Sequence, residues 1–571
     1  MMVNQTTQGR NDLLAWEEDK PNNFFTSDTN LHYVLQRYLG DDYETAKQDL
    51  AKLGASVATV IDEAAKVEDR IGNHPRLDRW SALGERIEQI EFHPNHDYIG
   101  RMVWESGIMA MQGEVGNSVK QMGLYYLLTH NGEGGHLCSL ACTSGLIRAL
   151  QQVASDDVRE KFLPPLLNPH YDEMQHGAQF LTEVQGGSDV GANAVIATAA
   201  DDGTWRISGE KWFCSNINAD QFLMTARATD NEGTRGLGLF IVPRQLDDGS
   251  TNGFYIRRLK DKLGTRTLAS AELDFREAAA YPVGAVEQGF KTVVELVLNT
   301  SRLMNAVACA GTMRRVYIEA GQYACHRKAF GQPIANFPMV QEAIADIMTE
   351  YTAATASSFY LAHLLDKIES GQASEQDTKS YRMLVNINKY ITSITGSQIV
   401  HRGIEVLGGN GAIESFSILP RLYRDMIVLE SWEGTHNVLC VQVLRDIARY
   451  SIHEAFIADM QSQLATVSHN DLQNNVEIVQ VAIKRLMQIL AQMAAKGDRF
   501  AQAHARRMVD LAAYIAQATL LLAEAQWELD QNLPTSKPDV TTYFINQHLK
   551  TDYEPMLDDD YTQRLERLMR F

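Results

Sequence analysis

Glu433 stands between Trp432 and Gly434 in the run Glu430-Ser431-Trp432-Glu433-Gly434-Thr435-His436-Asn437. A carboxylate pressed against an aromatic ring is raised in pKa by desolvation, and a following glycine lets backbone or ligand come close. These are the properties of a general base. They are equally those of a glutamate in a surface loop, so the run needs support from the rest of the chain.

Four other stretches carry chemistry by residue type. Gln179 to Val190 reads Gln-Phe-Leu-Thr-Glu-Val-Gln-Gly-Gly-Ser-Asp-Val, with hydroxyls and exposed amides suited to a planar polar ligand or a phosphate. A glycine turn at a domain junction would look the same. No lysine follows the glycines, which excludes a Walker loop, and the strand-then-helix setting of a dinucleotide fingerprint is absent. Gly209 to Asn216 places Trp212 and Phe213 ahead of Ser215, either a ring-stacking face with a hydrogen-bonding edge or a hairpin core. His326-Arg327-Lys328 closes a long helical pattern before Gly331, either a pyrophosphate clamp or a helix C-terminus with its usual cations and glycine cap. Leu407-Gly408-Gly409-Asn410-Gly411 is a helix stop or a place where a nucleotide approaches the backbone. There is no Gly-x-Ser-x-Gly elbow, no His-Glu-x-x-His and no paired zinc spacing, so no metal is expected.

The elements that position these stretches follow from periodicity. Helical patterns run from about Asn30 to Asn168, with Tyr43 to Val67 as one run and Asn73-His74-Pro75 and Phe92-His93-Pro94 as loops. Short β-rich runs follow at Ala194 to Ala200, Trp205 to Ser208, Gln221 to Ala228, Leu237 to Val242 and Ala271 to Phe275. Long helices return at Gly289 to Lys328, Met339 to Ile368 and Asp377 to Leu407, as in a four-helix bundle. Helix resumes at Val438 to Tyr450, and two more helices fill Asp471 to Asn532. The expected fold is mostly α with an inserted β-domain. Its parts are an N-terminal arm (1–30), a helical domain (31–175), a β-domain (176–285), a helical bundle (286–446) and a helical extension (447–571).

Composition narrows the function. The 571 residues need more than one core, and a net charge of −20 argues against a general nucleic-acid or anionic-membrane binder. Met1 to Asp28 is polar and mixed in charge, so no secretory signal is expected. No run of ~18 uninterrupted apolar residues predicts a membrane span; Leu511 to Ala525 reads as a core helix. Six cysteines without a Cys-x-x-Cys pair are expected to be buried, reduced thiols, and the chain to be cytoplasmic.

In order and spacing, Thr-Glu-x-x-Gly-Gly-Ser-Asp, Lys-Trp-Phe-x-Ser, Arg-x-x-Phe-Gly-x-Pro-Ile, Leu-Gly-Gly-Asn-Gly, Tyr-Arg-Asp and Trp-Glu-Gly-Thr resemble the acyl-CoA dehydrogenase flavoproteins. The resemblance runs from about Tyr98 to Arg445. Phe92-His93-Pro94, Lys260-Asp261-Lys262-Leu263-Gly264-Thr265 and the helical extension resemble the AidB-type subgroup, carrying the likeness over nearly the whole chain.

The resemblance implies an acyl-CoA dehydrogenase fold, bound FAD, an acyl-CoA substrate, an electron-transfer flavoprotein as partner, and a homotetramer or homodimer. It implies that Gln179, Leu181, Thr182, Phe213 and Ser215 lie at the flavin, with Thr182 and Ser215 on the ring edge. Ser188 is implied near the FAD phosphates or the CoA arm. Arg327, Phe330, Phe337, Gly408 and Gly409 are implied at the diphosphate and adenosine of a neighbouring subunit's FAD. Asn299, Arg302 and Gly434 are implied at the substrate, Thr435 and Asn437 at FAD, and Glu433 as the base that removes the α-proton. Three positions depart from the family pattern: Trp432 for a common tyrosine, Asn299 where some relatives carry Asp, and Gln185-Gly186-Gly187 for Pro-Gly-Ala.

The rival readings are a DNA-associated protective flavoprotein with vestigial dehydrogenation, a non-catalytic fatty-acyl-binding regulator, and an acyl-CoA oxidase. DNA binding by the extension is disfavoured, because 447–571 holds twelve Lys and Arg against sixteen Asp and Glu.

Overall fold

A computed structural model describes residues 5–569, so residues 1–4 of the expected arm and 570–571 of the extension lie outside the described residues. The fold is predominantly helical, with a central β-sheet domain and an extended C-terminal helical region. The chain divides into two compact units: Val60–Asn117 with Glu133–Met304, and Met1–Thr59 with Ser118–Gly132 and Asn305–Phe571.

The first unit holds a seven-stranded sheet ordered Gly177–Phe180, Gln221–Arg227, Ile196–Ala199, Trp205–Ser215, Ser270–Pro282, Leu237–Pro243, with Phe254–Leu259 paired to Ser270–Pro282. Gln221–Arg227 also pairs antiparallel with Leu237–Pro243, so the sheet curls back on itself as a partial barrel. Phe180, Ile207, Phe222, Phe240, Phe254 and Leu273 fill its interior. A sheet that closes in this way leaves few open edges and one concentrated apolar core.

Several elements differ from the sequence reading. The strand expected at Trp205 to Ser208 runs on to Ser215, absorbing the Lys-Trp-Phe-x-Ser motif, and the last strand extends to Pro282. Gly177–Phe180 and Phe254–Leu259 were not anticipated, the first being four residues long and the second interrupted by Arg257 and Arg258. A hairpin, Arg76–Trp80 with Arg86–Glu91, sits within the stretch expected to be helical. Two long helical runs contain a wide π turn, at Val57–Ile61 and Val293–Leu298, which periodicity alone does not reveal.

The second unit is helical. Pro338–Glu369 and Glu375–Leu407 pack together, and the first turn of the latter is fixed by a capping box between Ser374 and Asp377. Leu419–Ser431 and His436–Tyr450 pack on Glu375–Leu407. In the C-terminal region, Asp498–Asp530 packs against Pro338–Glu369, Glu375–Leu407 and His436–Tyr450, so it shares their core.

Two helices, Asn470–Lys496 and Asp498–Asp530, are long and apolar enough to cross a membrane by length and composition. The most apolar window of the second is 89% buried within the protein, as a core helix would be, against 33% for the first. All six cysteines are free; Cys325 is exposed, against expectation, because it lies one residue from the end of Asn299–His326.

Candidate active site

The connection Trp432 to Thr435 joins Leu419–Ser431 to His436–Tyr450, and Glu433 sits in it, half-buried, at φ +58°. A non-glycine residue in the left-handed region carries a conformational cost and persists where its surroundings hold it. The holding group is Lys389, fully buried on Glu375–Leu407. Its ammonium donates to the carbonyl of Glu430 at 2.9 Å and to that of Gly434 at 3.0 Å, one on either side of Glu433. Gly434 follows at φ +108°, which requires a glycine. Beside this clamp, the Glu430 carboxylate accepts from Ser397 Oγ and lies 2.9 Å from His436 Nε2. Burial foremost holds the His436 imidazole below its usual pKa, although the bond to Glu430 opposes that.

Thr435 and Asn437 are exposed; Asn437 Oδ1 accepts from Arg506 Nε at 2.8 Å. The Arg421-Leu422-Tyr423-Arg424-Asp425 stretch is largely buried helix, where Arg424 grips Glu414 through two bonds of 3.0 Å. Arg327 lies at the end of Asn299–His326 and its carbonyl accepts from Ile334 N at 2.8 Å across a tight hairpin. Phe330, at the hairpin tip, is 97% exposed at φ +54° and meets Phe337 edge-on at 6.1 Å. Gly408 and Gly409 are exposed, and a Cβ on either would enter open space. The two groups are tied, since Asn410 Nδ2 donates to Tyr323 OH, one turn before Arg327, at 3.2 Å.

In the sheet-bearing unit, Trp212 N donates to Thr182 O at 2.9 Å and joins the Thr182 loop to the Trp205–Ser215 strand. A buried ion pair secures that junction: Lys211 Nζ lies 2.8 Å from Glu183 Oε1 and donates to Leu181 O at 3.2 Å. Glu183 also accepts from the backbone N–H groups of Ala194 and Val195. Burial lowers the Lys211 pKa, and Glu183 partly restores it. Phe213 is 54% exposed and Ser215 half-buried, with Cys214 between them facing the core. The Lys260 ammonium stands 3.7 Å from the Trp212 ring centroid and 4.7 Å from that of Phe213.

An exposed aromatic face, hydroxyls at Thr182 and Ser215, and the tight Gly187 turn fit the edge of a planar heteroaromatic ring. A Cβ on Gly187 would stand 2.6 Å from Thr182 Oγ1. Ser188 is exposed in that turn. Gln179 is engaged instead with Cys142 O at 3.0 Å and Ser301 Oγ at 3.5 Å. Arg302 and Asn299 are buried together, 3.5 Å apart.

Sequence reasoning missed Lys389, Lys211 and Glu183 as supports. A lone lysine in a helix or strand resembles a solvated one, and only burial distinguishes it. It also missed a buried group, Glu68, His96 and Glu133, whose ligand-type atoms lie within 4.8 Å of one another. His96 Nδ1 is 3.0 Å from Glu68 Oε1, while Glu133 accepts from Gly135 N, His136 N and Thr267 Oγ1 as the N-cap of Gly134–Val153. These bonds make the group a joint between helices.

Comparison with known proteins finds similarity along most of the chain. Residues 17–173 match the Adaptive response protein AidB N-terminal domain, 178–278 the acyl-CoA dehydrogenase middle domain, and 287–448 the acyl-CoA dehydrogenase C-terminal domain. The putative acyl-CoA dehydrogenase AidB of Escherichia coli is 30% identical over 71% of this chain and 75% of its own length. Acyl-CoA dehydrogenase family member 11 of Caenorhabditis elegans is 29% identical over 88% of this chain and 84% of its own. The crystal structure of Caenorhabditis elegans ACDH-11 in complex with C11-CoA superposes with a TM-score of 0.86 at 27% identity, covering 95% of this chain and 94% of that one. The chain therefore belongs to the acyl-CoA dehydrogenase family and carries an AidB-like N-terminal domain.

Proposed function

We propose that the protein is an FAD-dependent acyl-CoA dehydrogenase that converts an acyl-CoA thioester to a trans-2-enoyl-CoA, with Glu433 as the base. The observation that carries this reading is the clamp on Glu433: a strained carboxylate-bearing residue fixed on both sides by one buried ammonium. Scaffolds hold such strain where position matters to chemistry.

Glu433, half-buried in its connection, takes the α-proton of the thioester. The electron pair left by the α-proton becomes the new double bond as the β-carbon gives up a hydride, for which FAD, when bound, would supply the acceptor. Thr182 and Ser215 hold the ring edge by hydrogen bonds, with Phe213 beside it. Arg327, Gly408 and Gly409 hold the diphosphate and adenosine, in company with Phe330 and Phe337. Ser188, Asn299, Arg302 and Gly434 serve the CoA and acyl portions, and Thr435 and Asn437 the cofactor. A homotetramer or homodimer is the proposed assembly. An electron-transfer flavoprotein in the cytoplasm is the proposed electron acceptor.

The test is anaerobic addition of acyl-CoA thioesters to the purified yellow protein. C11-CoA is the first probe because the ACDH-11 relative was crystallised with it. Loss of the visible flavin band with enoyl-CoA formation is expected. A protein that stays yellow with short, medium, long and branched thioesters overturns the reading. No DNA retention is expected at physiological salt, given the acidic excess in 447–571.

A further inference from the structure

Ser215 is not an isolated hydroxyl. It ends the Trp205–Ser215 strand directly opposite Ser270, the first residue of Ser270–Pro282, and the two Oγ atoms are 2.9 Å apart. Ser270 is buried, at 3% exposure, so its hydroxyl is satisfied within the protein rather than by bulk water. Behind it stands Lys262, in the connection between Phe254–Leu259 and Ser270–Pro282. Lys262 Nζ lies 3.0 Å from Ser270 Oγ and 2.8 Å from Leu268 O.

The chemistry of the three groups fixes the first link of the chain. An ammonium has hydrogens and no lone pair, so Lys262 donates and Ser270 Oγ accepts. Either hydroxyl of the Ser215–Ser270 pair can donate to the other; in the arrangement that continues the chain, Ser270 gives its hydrogen to Ser215. In that arrangement Ser215 accepts, which leaves its own hydrogen for a group beyond the pair. Each donation polarises the next hydroxyl, so the terminal O–H is a stronger donor than that of a free serine.

We infer that Lys262 is a positioning residue that acts through Ser270 to hold Ser215 as an outward, polarised hydrogen-bond donor, favouring the reduced, more electron-rich state of the flavin it faces. This rests on the reading that Ser215 borders FAD. Lys260 is a different kind of neighbour: its ammonium lies over the Trp212 ring and pairs with Glu272 at 2.8 Å, contributing charge but no link in this chain.

The test is the two-electron midpoint potential of the full-length FAD-loaded protein, measured by dye-coupled reduction, for wild type, Lys262→Met, Ser270→Ala, the double variant and Ser270→Thr. Both single variants are expected to retain FAD. Each should shift the balance of oxidised to reduced flavin about tenfold toward oxidised, about 30 mV for a two-electron couple. The double variant should shift no further than the larger single one, because both cut the same chain, and Ser270→Thr should restore the wild-type value. Ser270→Ala keeps the Lys262 charge. If it leaves the potential unchanged while Lys262→Met lowers it, the effect is through-space charge and the relay is overturned. Unchanged potentials in both variants overturn it as well. A wild-type protein that holds no FAD removes the flavin reading itself, seen directly as a missing visible band.

Discussion

Lys389 carries more of this site than any residue type in the sequence announced. Glu433 could be picked out because an aromatic, a carboxylate and a glycine in succession have recognisable chemistry. Lys389 sits among Asn, Tyr and Thr in a long helix, and nothing in that pattern says its ammonium is fully buried on the carbonyls of Glu430 and Gly434. Replacing it with methionine keeps the volume but leaves those carbonyls without their shared donor. Lys389→Met should lower kcat by about 10²-fold, since small misplacement of a reacting group has that effect, while FAD remains bound. Stopped-flow flavin reduction checks this; a variant that reduces at the wild-type rate shows that the clamp does not position Glu433. The Lys262 chain belongs to the same scale.

At the scale of elements, alternation located most of the sheet but not its extent. Trp205 to Ser208 is visible as a strand; its continuation to Ser215 is masked by Gly209, Glu210 and Lys211, which interrupt the apolar alternation. What makes that continuation possible is the buried Lys211–Glu183 pair, which gives a charged residue a place inside the domain. Phe254–Leu259 was hidden by Arg257 and Arg258, whose side chains reach Asp274 and Glu272 on the paired strand. Lys211→Met strands the Glu183 carboxylate in the interior and should cost about 3 kcal/mol, within the range for breaking a buried pair from one side. Chemical denaturation reads this directly, and a variant within 0.5 kcal/mol of wild type (roughly the noise for neutral surface changes) contradicts it. The helical bundle was more legible because its elements are long and capped, as at Ser374, whereas the π turn at Val293–Leu298 leaves the apolar pattern almost intact.

At the scale of the whole molecule, the order helical, β, helical, then helical extension was legible, while the sharing of one core by Asp498–Asp530 and the bundle was not, because periodicity shows an apolar face without naming its partner. The buried interior also sets a pH response. His130 is fully buried, stacked on Phe24 at 5.0 Å and bonded to Tyr126 O, and burial foremost pushes its pKa down to about 3. Its unfolded counterpart titrates near 6.5, so between those values the unfolded chain binds the extra proton. Stability from this residue is therefore fully present above about pH 6.5 and falls as pH drops toward 3, by up to about 1.4 kcal/mol per pH unit. Urea midpoints from pH 7 to 5 should fall for wild type and fall less steeply for His130→Gln; equal slopes contradict the assignment.

The central claim is that Glu433 is the base of an acyl-CoA dehydrogenase, and the most direct measurement is the anaerobic rate of flavin reduction by acyl-CoA in wild type and Glu433→Gln. Wild type should bleach, and the variant should keep its FAD and its yellow colour while reduction slows by about 10³-fold, within the range for loss of a general base. A Glu433→Gln protein that bleaches as fast as wild type would contradict the account.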